Sequence, residues 1–99
     1  SWPATRHHHW EKLLQARAIE NQAFVIGVNR CGKDPQFFHA GGSRIIDPQG
    51  NILIEAGEQE CVISAEAYPE AVKSFREKLP FLSDIRSEFL AFPPGEKVA

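Results

Sequence analysis

The residues best suited to chemistry in this 99-residue chain are few and scattered. Its two cysteines, Cys31 and Cys61, form no CxxC and have no ligand-type spacing around them, which argues against a zinc site. Two free thiols in a reducing cytoplasm fit that usage better than a disulfide. Histidine occurs as the run His7-His8-His9 and once more at His39. Neighbouring residues on a helix point about 100° apart, so three consecutive rings cannot all face one metal. Solvated or singly hydrogen-bonded rings are expected, with no metal and no cofactor. The competing arrangement, a metal held by His7, His9 or His39 with Cys31, requires those side chains within coordination distance. The remaining candidates are a polar trio, Arg17, Glu20 and Asn21.

That trio lies in Trp10 to Gln22, the stretch around which the chain is organised. At helical spacing Trp10, Leu13, Leu14, Arg17 and Asn21 share one stripe, flanked by Ala18 and Glu20. The apolar members predict an amphipathic helix on a sheet, with Lys12 and Gln15 facing outward. Charged groups on such a stripe must be satisfied, because desolvating them is costly. The expectation is a structural polar network at the helix end, or a brace behind a nearby site.

The loop Ser1–Thr5 precedes this helix, with Thr5 as a candidate N-cap. After it, residues 23–28 (Ala-Phe-Val-Ile-Gly-Val) form a short continuous apolar run. Such a run is expected of a central strand covered on both faces. Residues 31–42 carry the Gly and Pro punctuation of a loop. Phe37 and Phe38 within it are large for a loop, so at least one should dock on a partner or line a pocket. Residues 43–47, 51–56 and 61–66 are expected as an antiparallel meander, its first turn Asp47-Pro48-Gln49-Gly50 having the composition of type I. Pro69 suits the first position of a second helix, and Pro80 stops it. The tail beyond, with Phe81, Leu82, Phe89, Leu90 and Phe92, needs another surface for its rings.

The sum is an α+β layer: helix, strand, meander, helix, tail. One domain is the most that this length allows. Its parts are a loop and helix over 1–22, a sheet over 23–66, a helix over 67–80 and a tail over 81–99. Helices on one side leave the other sheet face in need of cover. Composition is that of a folded globular chain, 42% hydrophobic and 24% charged. A net charge of −2 offers no basic patch for nucleic acid. No apolar run approaches a membrane span and no leader is evident, so a cytoplasmic location is expected.

Taken together, several stretches resemble the C-terminal part of the carbon–nitrogen hydrolase (nitrilase) superfamily, closest to ω-amidase-like bacterial enzymes. They are Trp2-Pro3, Arg6, His9-Trp10, Leu13-Leu14, Ala16 through Gln22, Val25, Gly27-Val28-Asn29-Arg30, Gly42-Ser43, Asp47-Pro48 and Gly50. Arg76, Pro80-Phe81-Leu82, Asp84 and Arg86 continue the likeness. The resemblance implies one half of an α-β-β-α sandwich, and an oligomer with the tail packed across subunits. It implies hydrolysis of a small ω-amide by a glutamate base, an oxyanion-steadying lysine and a cysteine nucleophile that forms a thioester. In the family all three precede the Trp-Pro segment, and neither Cys31 nor Cys61 matches the nucleophile's place. No catalytic residue is therefore assigned, and the chain alone is expected to be inactive. Ser1, Trp2 and Pro3 match the loop that borders the family's substrate pocket and are the pocket candidates, with Ser1 standing where many relatives have asparagine. Arg17, Glu20 and Asn21 match a motif that braces the helix against the sheet. The expected partners are the missing N-terminal half or a second copy of this chain, together with a small amide for the whole enzyme. The alternative is a non-catalytic, self-associating structural or interaction domain derived from that fold.

Overall fold

A computed structural model of the chain describes residues 1–90. A 3-10 turn, Ala4–Arg6, leads into α1 (His7–Asn21). Three strands, β1 (Val25–Gly27), β4 (Arg44–Ile46) and β5 (Ile52–Glu55), make one antiparallel sheet in the order β1-β4-β5. Between β1 and β4 the chain forms a separate two-stranded hairpin, β2 (Cys31–Lys33) and β3 (Phe38–Ala40). Helix α2 (Pro69–Lys78) follows, then 3-10 turns at Phe81–Asp84 and Ser87–Phe89. The architecture is α+β, as the sequence leads one to expect.

Helix α1 packs on β1 and β4. Its inward line is Trp10, Leu14, Ala18 and Gln22, one residue every turn, with Ala18 and Gln22 fully buried. The polar trio does not share it. Arg17 and Glu20 pair at 2.5 Å with side chains 57% and 55% exposed, and Asn21 donates to the Arg17 carbonyl from the same exposed side. The buried polar network expected of these three is thus a solvated surface pair. The stripe that runs through Leu13 to Arg17 and Asn21 is the flank of the true inward line, and Leu13 itself is 45% exposed. Thr5 does not cap α1 either, because the 3-10 turn intervenes and no side chain caps the first turn.

The end of α1 is better secured. Gln22 takes a left-handed conformation (φ 46°) and its N–H reaches back to the Ala18 and Ile19 carbonyls. A left-handed non-glycine residue costs about 1–2 kcal/mol. Its buried carboxamide offsets this by donating to the Leu79 carbonyl at 2.8 Å. Arg76 of α2 donates to the carbonyls of Gln22 and Asn21 at 3.1 and 3.2 Å, a cation placed at a helix C-terminus. Pro69 begins α2 and Pro80 follows its end, where Phe75 meets Phe81 edge-on with centroids 6.4 Å apart.

Two expectations fail in the middle of the chain. Residues 31–42 are not an open loop. Cys31, Gly32 and Lys33 pair with Ala40, His39 and Phe38, and the Asp34–Phe37 turn closes through Asp34, whose N–H donates to the Phe37 carbonyl. The third meander strand, 61–66, is absent: β5 is the sheet edge and Val62 is 96% exposed. The turn at Asp47–Gly50 forms as expected, with Gly50 N–H donating to the Asp47 carbonyl.

The two faces of the sheet differ. Val25 pairs with Ile46, and Gly27 with Arg44, on the side facing α1. Ile26, Ile45 and Ile54 pair across the other side, where Ile26 is 70% exposed and Val28, one residue beyond the strand, 76%. Tail residues Phe89 and Leu90 are exposed, as are Phe37 and Phe38 on the hairpin. Phe92 lies outside the described residues.

Candidate functional site

A densely hydrogen-bonded polar site is built where β1 ends. Alternation sends Val25 and Gly27 inward, and the backbone leaves the sheet at Asn29. Asn29 is buried, and its carboxamide meets three backbone groups. Its Oδ1 accepts from the Trp2 N–H at 2.8 Å, and its Nδ2 donates to the carbonyls of Trp2 (3.2 Å) and Gly41 (2.9 Å). The side chain therefore pairs with both polar groups of Trp2, as a neighbouring strand would. Its backbone is held equally firmly. The Asn29 N–H donates to Ser43 Oγ at 2.9 Å, and Ser43 Oγ donates to the Asn29 carbonyl at 3.1 Å.

A second side chain converges on the same carbonyl. His39 is 2% exposed; its Nδ1 lies 3.1 Å from the Trp2 carbonyl and its Nε2 2.7 Å from Asp34 Oδ2. Asp34 also accepts from the N–H groups of Gln36 and Phe37 through Oδ1. These donors favour the ionised form. The His39 bond first, and then the two amide bonds, lower the Asp34 pKa from 3.8 to about 2.

The indole of Trp2 lies over this clamp. It packs tilted on Trp10 with centroids 5.9 Å apart, donates to the Arg6 carbonyl and carries the Arg6 guanidinium 4.7 Å above its ring. Trp10 in turn donates to the Gly42 carbonyl at 3.0 Å, which also accepts from Arg44 Nε at 2.9 Å. Gly42 has φ +76°, a conformation that favours glycine, and a Cβ there would stand 2.6 Å from His7 Cε1 and push that ring aside.

Beside the clamp lies a cleft of about 560 Å³ lined by Asn29, Cys31, Gly41, Ser43, Gly57 and Cys61, among others. Both thiols are free, Cys31 half-buried and Cys61 exposed. Among the described residues no hydrogen bond joins either thiol to a base, because the imidazole of the hairpin, His39, is committed to Asp34. The clamp fixes the backbone of Trp2 and Gly41 at the side of this cleft. The sequence brought the two cysteines no nearer each other than separate elements, and the fold places both on one cleft. The pocket candidates Ser1, Trp2 and Pro3 do not line that cleft; Trp2 and Pro3 are part-buried and Ser1 is exposed. Among the described residues no three of His, Cys, Asp and Glu converge as a metal site would require. His7 instead pairs with Glu11 at 3.1 Å.

Sequence reasoning left Asn29, His39, Asp34 and Ser43 without a shared role. Their partners lie far off in the chain, and the only local signal was two polar residues, Asn29-Arg30, ending an apolar strand.

The unit is thus a layered α+β arrangement with one sheet face covered by α1, one exposed apolar face and a clamped Trp-Pro segment. Residues 1–77 match the carbon-nitrogen hydrolase family, and the chain belongs to it. It is 45% identical over 87 residues to the 2-oxoglutaramate amidase of Bacillus subtilis, covering 88% of this chain and 34% of that protein. It is 48% identical over 86 residues to the ω-amidase YafV of Escherichia coli K12, covering 85% and 34%. The crystal structure of a CN-hydrolase superfamily protein from Xanthomonas campestris superposes with a TM-score of 0.85 at 40% identity. That match covers 92% of this chain and 35% of the other. Saccharomyces cerevisiae Nit3, a member of the nitrilase superfamily, gives 0.74 at 35% identity, covering 81% and 30%. The chain thus spans about a third of the length of the relatives it matches.

Proposed function

We propose that this chain is the C-terminal portion of an ω-amidase that hydrolyses the terminal amide of a small keto acid such as 2-oxoglutaramate. The glutamate base, the lysine and the nucleophilic cysteine belong to a part of the enzyme outside this chain. In that enzyme a thiolate attacks the amide carbon, ammonia leaves, and water releases the acid from the thioester. This chain contributes a sheet, its outer helices and the Ser1–Pro3 segment at the rim of the substrate pocket. The names of the relatives support the substrate class, and their greater length supports the division of labour.

One structural observation carries the reading. The sheet face bearing Ile26, Val28, Ile45 and Ile54 is apolar, and Ile26 and Val28 are more than two-thirds exposed. Leaving such a face in water forgoes about 25 cal/mol for each Å² that could be buried. A second sheet from the rest of the enzyme covers it. The same reading puts the chain in the cytoplasm, where its thiols stay reduced, as part of an oligomer, with no nucleic-acid or membrane partner. Among the described residues no helix is long and apolar enough to cross a membrane.

The test is complementation. The chain is co-expressed with the upstream two-thirds of the Bacillus subtilis relative, and ammonia release from an ω-amide is measured. Activity that needs both polypeptides supports the proposal. A chain that alone forms a compact dimer, binds no hydrophobic dye and restores nothing would replace it with the self-associating domain.

A further inference from the structure

His39 is buried with both ring nitrogens against acceptors, and a neutral imidazole has only one N–H. Neither acceptor can supply the missing proton. The Trp2 carbonyl has none, and Asp34 is held ionised by the Gln36 and Phe37 N–H groups that donate to its Oδ1. If a neutral ring keeps its proton on Nε2 for Asp34, the Nδ1 lone pair faces the Trp2 oxygen at 3.1 Å. If it keeps the proton on Nδ1, a lone pair faces a carboxylate at 2.7 Å. Only the doubly protonated ring makes both bonds.

We infer that His39, acting with Asp34, is a positioning residue that holds the Trp2–Pro3 segment in place, and that its full grip requires the imidazolium. The inference rests on the amidase reading only for what that segment borders, the substrate pocket. The grip itself is a property of this chain. The groups that face the ring are few. Asp34 comes from the hairpin turn, with Arg30 Nη1 3.9 Å from the same Oδ2. Arg6, from the 3-10 turn, lies over the Trp2 indole whose carbonyl His39 holds. Across the ladder the partner of His39 is Gly32, and its strand neighbours are Phe38 and Ala40, none of which titrates. Asn29 shares the Trp2 carbonyl but carries no charge. When the ring loses a proton, Asn29 still holds Trp2, so the segment loosens rather than detaches.

The experiment is an NMR titration of the isotopically labelled chain across the range in which free imidazoles lose their proton, about one to two units either side of pH 6.5. The His39 ring nitrogens, the Trp2 amide and the Asn29 carboxamide are followed together. The expected result is one shared midpoint for all three, changed in Asp34→Asn and absent from Trp2 and Asn29 in His39→Gln. Trp2 and Asn29 signals that ignore the His39 titration, or that still titrate in the glutamine variant, overturn the inference. Should His39→Gln fail to fold, Asp34→Asn decides, since an unmoved midpoint is equally fatal. None of these readouts needs activity. A failed titration leaves the amidase proposal standing, and failed complementation leaves the titration interpretable.

Discussion

Two polar groups of this protein, one contiguous in the sequence and one scattered through it, behave oppositely in the fold. Arg17, Glu20 and Asn21 carry two charges on a helix and would be expensive to bury; the fold leaves them in water. Asn29, His39, Asp34 and Ser43 come from two strand ends, a hairpin and its turn, and converge on the backbone of Trp2, Gly41 and each other. The first group is local, its bonds spanning three or four residues. The second ties positions 27 and 37 residues apart. Local pairs on an exposed helix add a few tenths of a kcal/mol. Long-range bonds to buried backbone fix the path of the chain, because each broken one strands a desolvated group.

The sharpest way to test that contrast is Asn29→Ala. It removes three hydrogen bonds at once and leaves the Trp2 N–H and the Gly41 carbonyl without their partner. At about 1–3 kcal/mol for each buried group left unsatisfied, with water recovering some of the loss, a cost of about 2–4 kcal/mol is expected. Urea denaturation of the chain measures it. Asn29→Asp separates shape from hydrogen bonding: Oδ1 still accepts from Trp2, but the other oxygen cannot donate to two carbonyls, so most of the loss should remain.

Gly27→Ala comes next. Gly27 is buried in β1 beneath α1, and an added Cβ would stand 2.5 Å from Leu14 Cδ1 and 3.2 Å from Trp10 Cζ2. The Leu14 methyl is the end of a flexible side chain and can turn away, whereas the Trp10 indole is held by its bond to Gly42. Partial relief limits the cost to about 1–3 kcal/mol, the usual range for overpacking. The larger consequence is that Trp10 shifts and disturbs Trp2 against it, which near-ultraviolet circular dichroism of the paired indoles would report.

These two sites also show what the sequence could reveal. Helix α1, the start of β1, the Asp47–Gly50 turn and α2 behind Pro69 were legible because propensity and pattern agree with the final structure. The hairpin was not. Gly32 and the Pro35-bearing turn are loop signals, and strands of three residues are too short to display alternation. Residues 61–66 carry the β-branched Val62 and Ile63, yet among the described residues no strand pairs with them, so composition without a partner gave no strand. The helix was phased by one flank because Leu13 and Leu14 are equally apolar. Only packing against Gly27 selects Leu14. The clamp was illegible for a different reason: hydrogen bonds between distant residues leave no periodic trace.

A smaller effect is expected from acid. The carboxylate of Asp34 titrates lower in the folded chain than in the unfolded one, so its stabilising contribution is complete above the unfolded value near 3.8. It is lost as pH falls toward about 2. The difference in stability between the wild-type chain and Asp34→Asn should therefore shrink over that acid interval. Urea midpoints measured at several pH values between these limits check the sign; a difference that grows on acidification would contradict the His39 bond as its cause.

The smallest effect belongs to the trio. Arg17→Ala removes an ion pair whose two side chains are more than half exposed. Such pairs contribute about 0–1 kcal/mol and are screened by salt. The Asn21 bond runs to the Arg17 backbone carbonyl and survives the substitution. The isolated chain should therefore lose no more than about 0.5 kcal/mol, and that loss should vanish in high salt. The same variant in the complemented enzyme is the informative one. If this helix surface is covered there, Arg17 and Glu20 are desolvated together, and removing one partner strands the other charge. A loss confined to the assembled protein would locate the motif's function in the assembly. An equal, negligible loss in both settings would leave Arg17 and Glu20 a solvated surface pair with no part in shaping the fold.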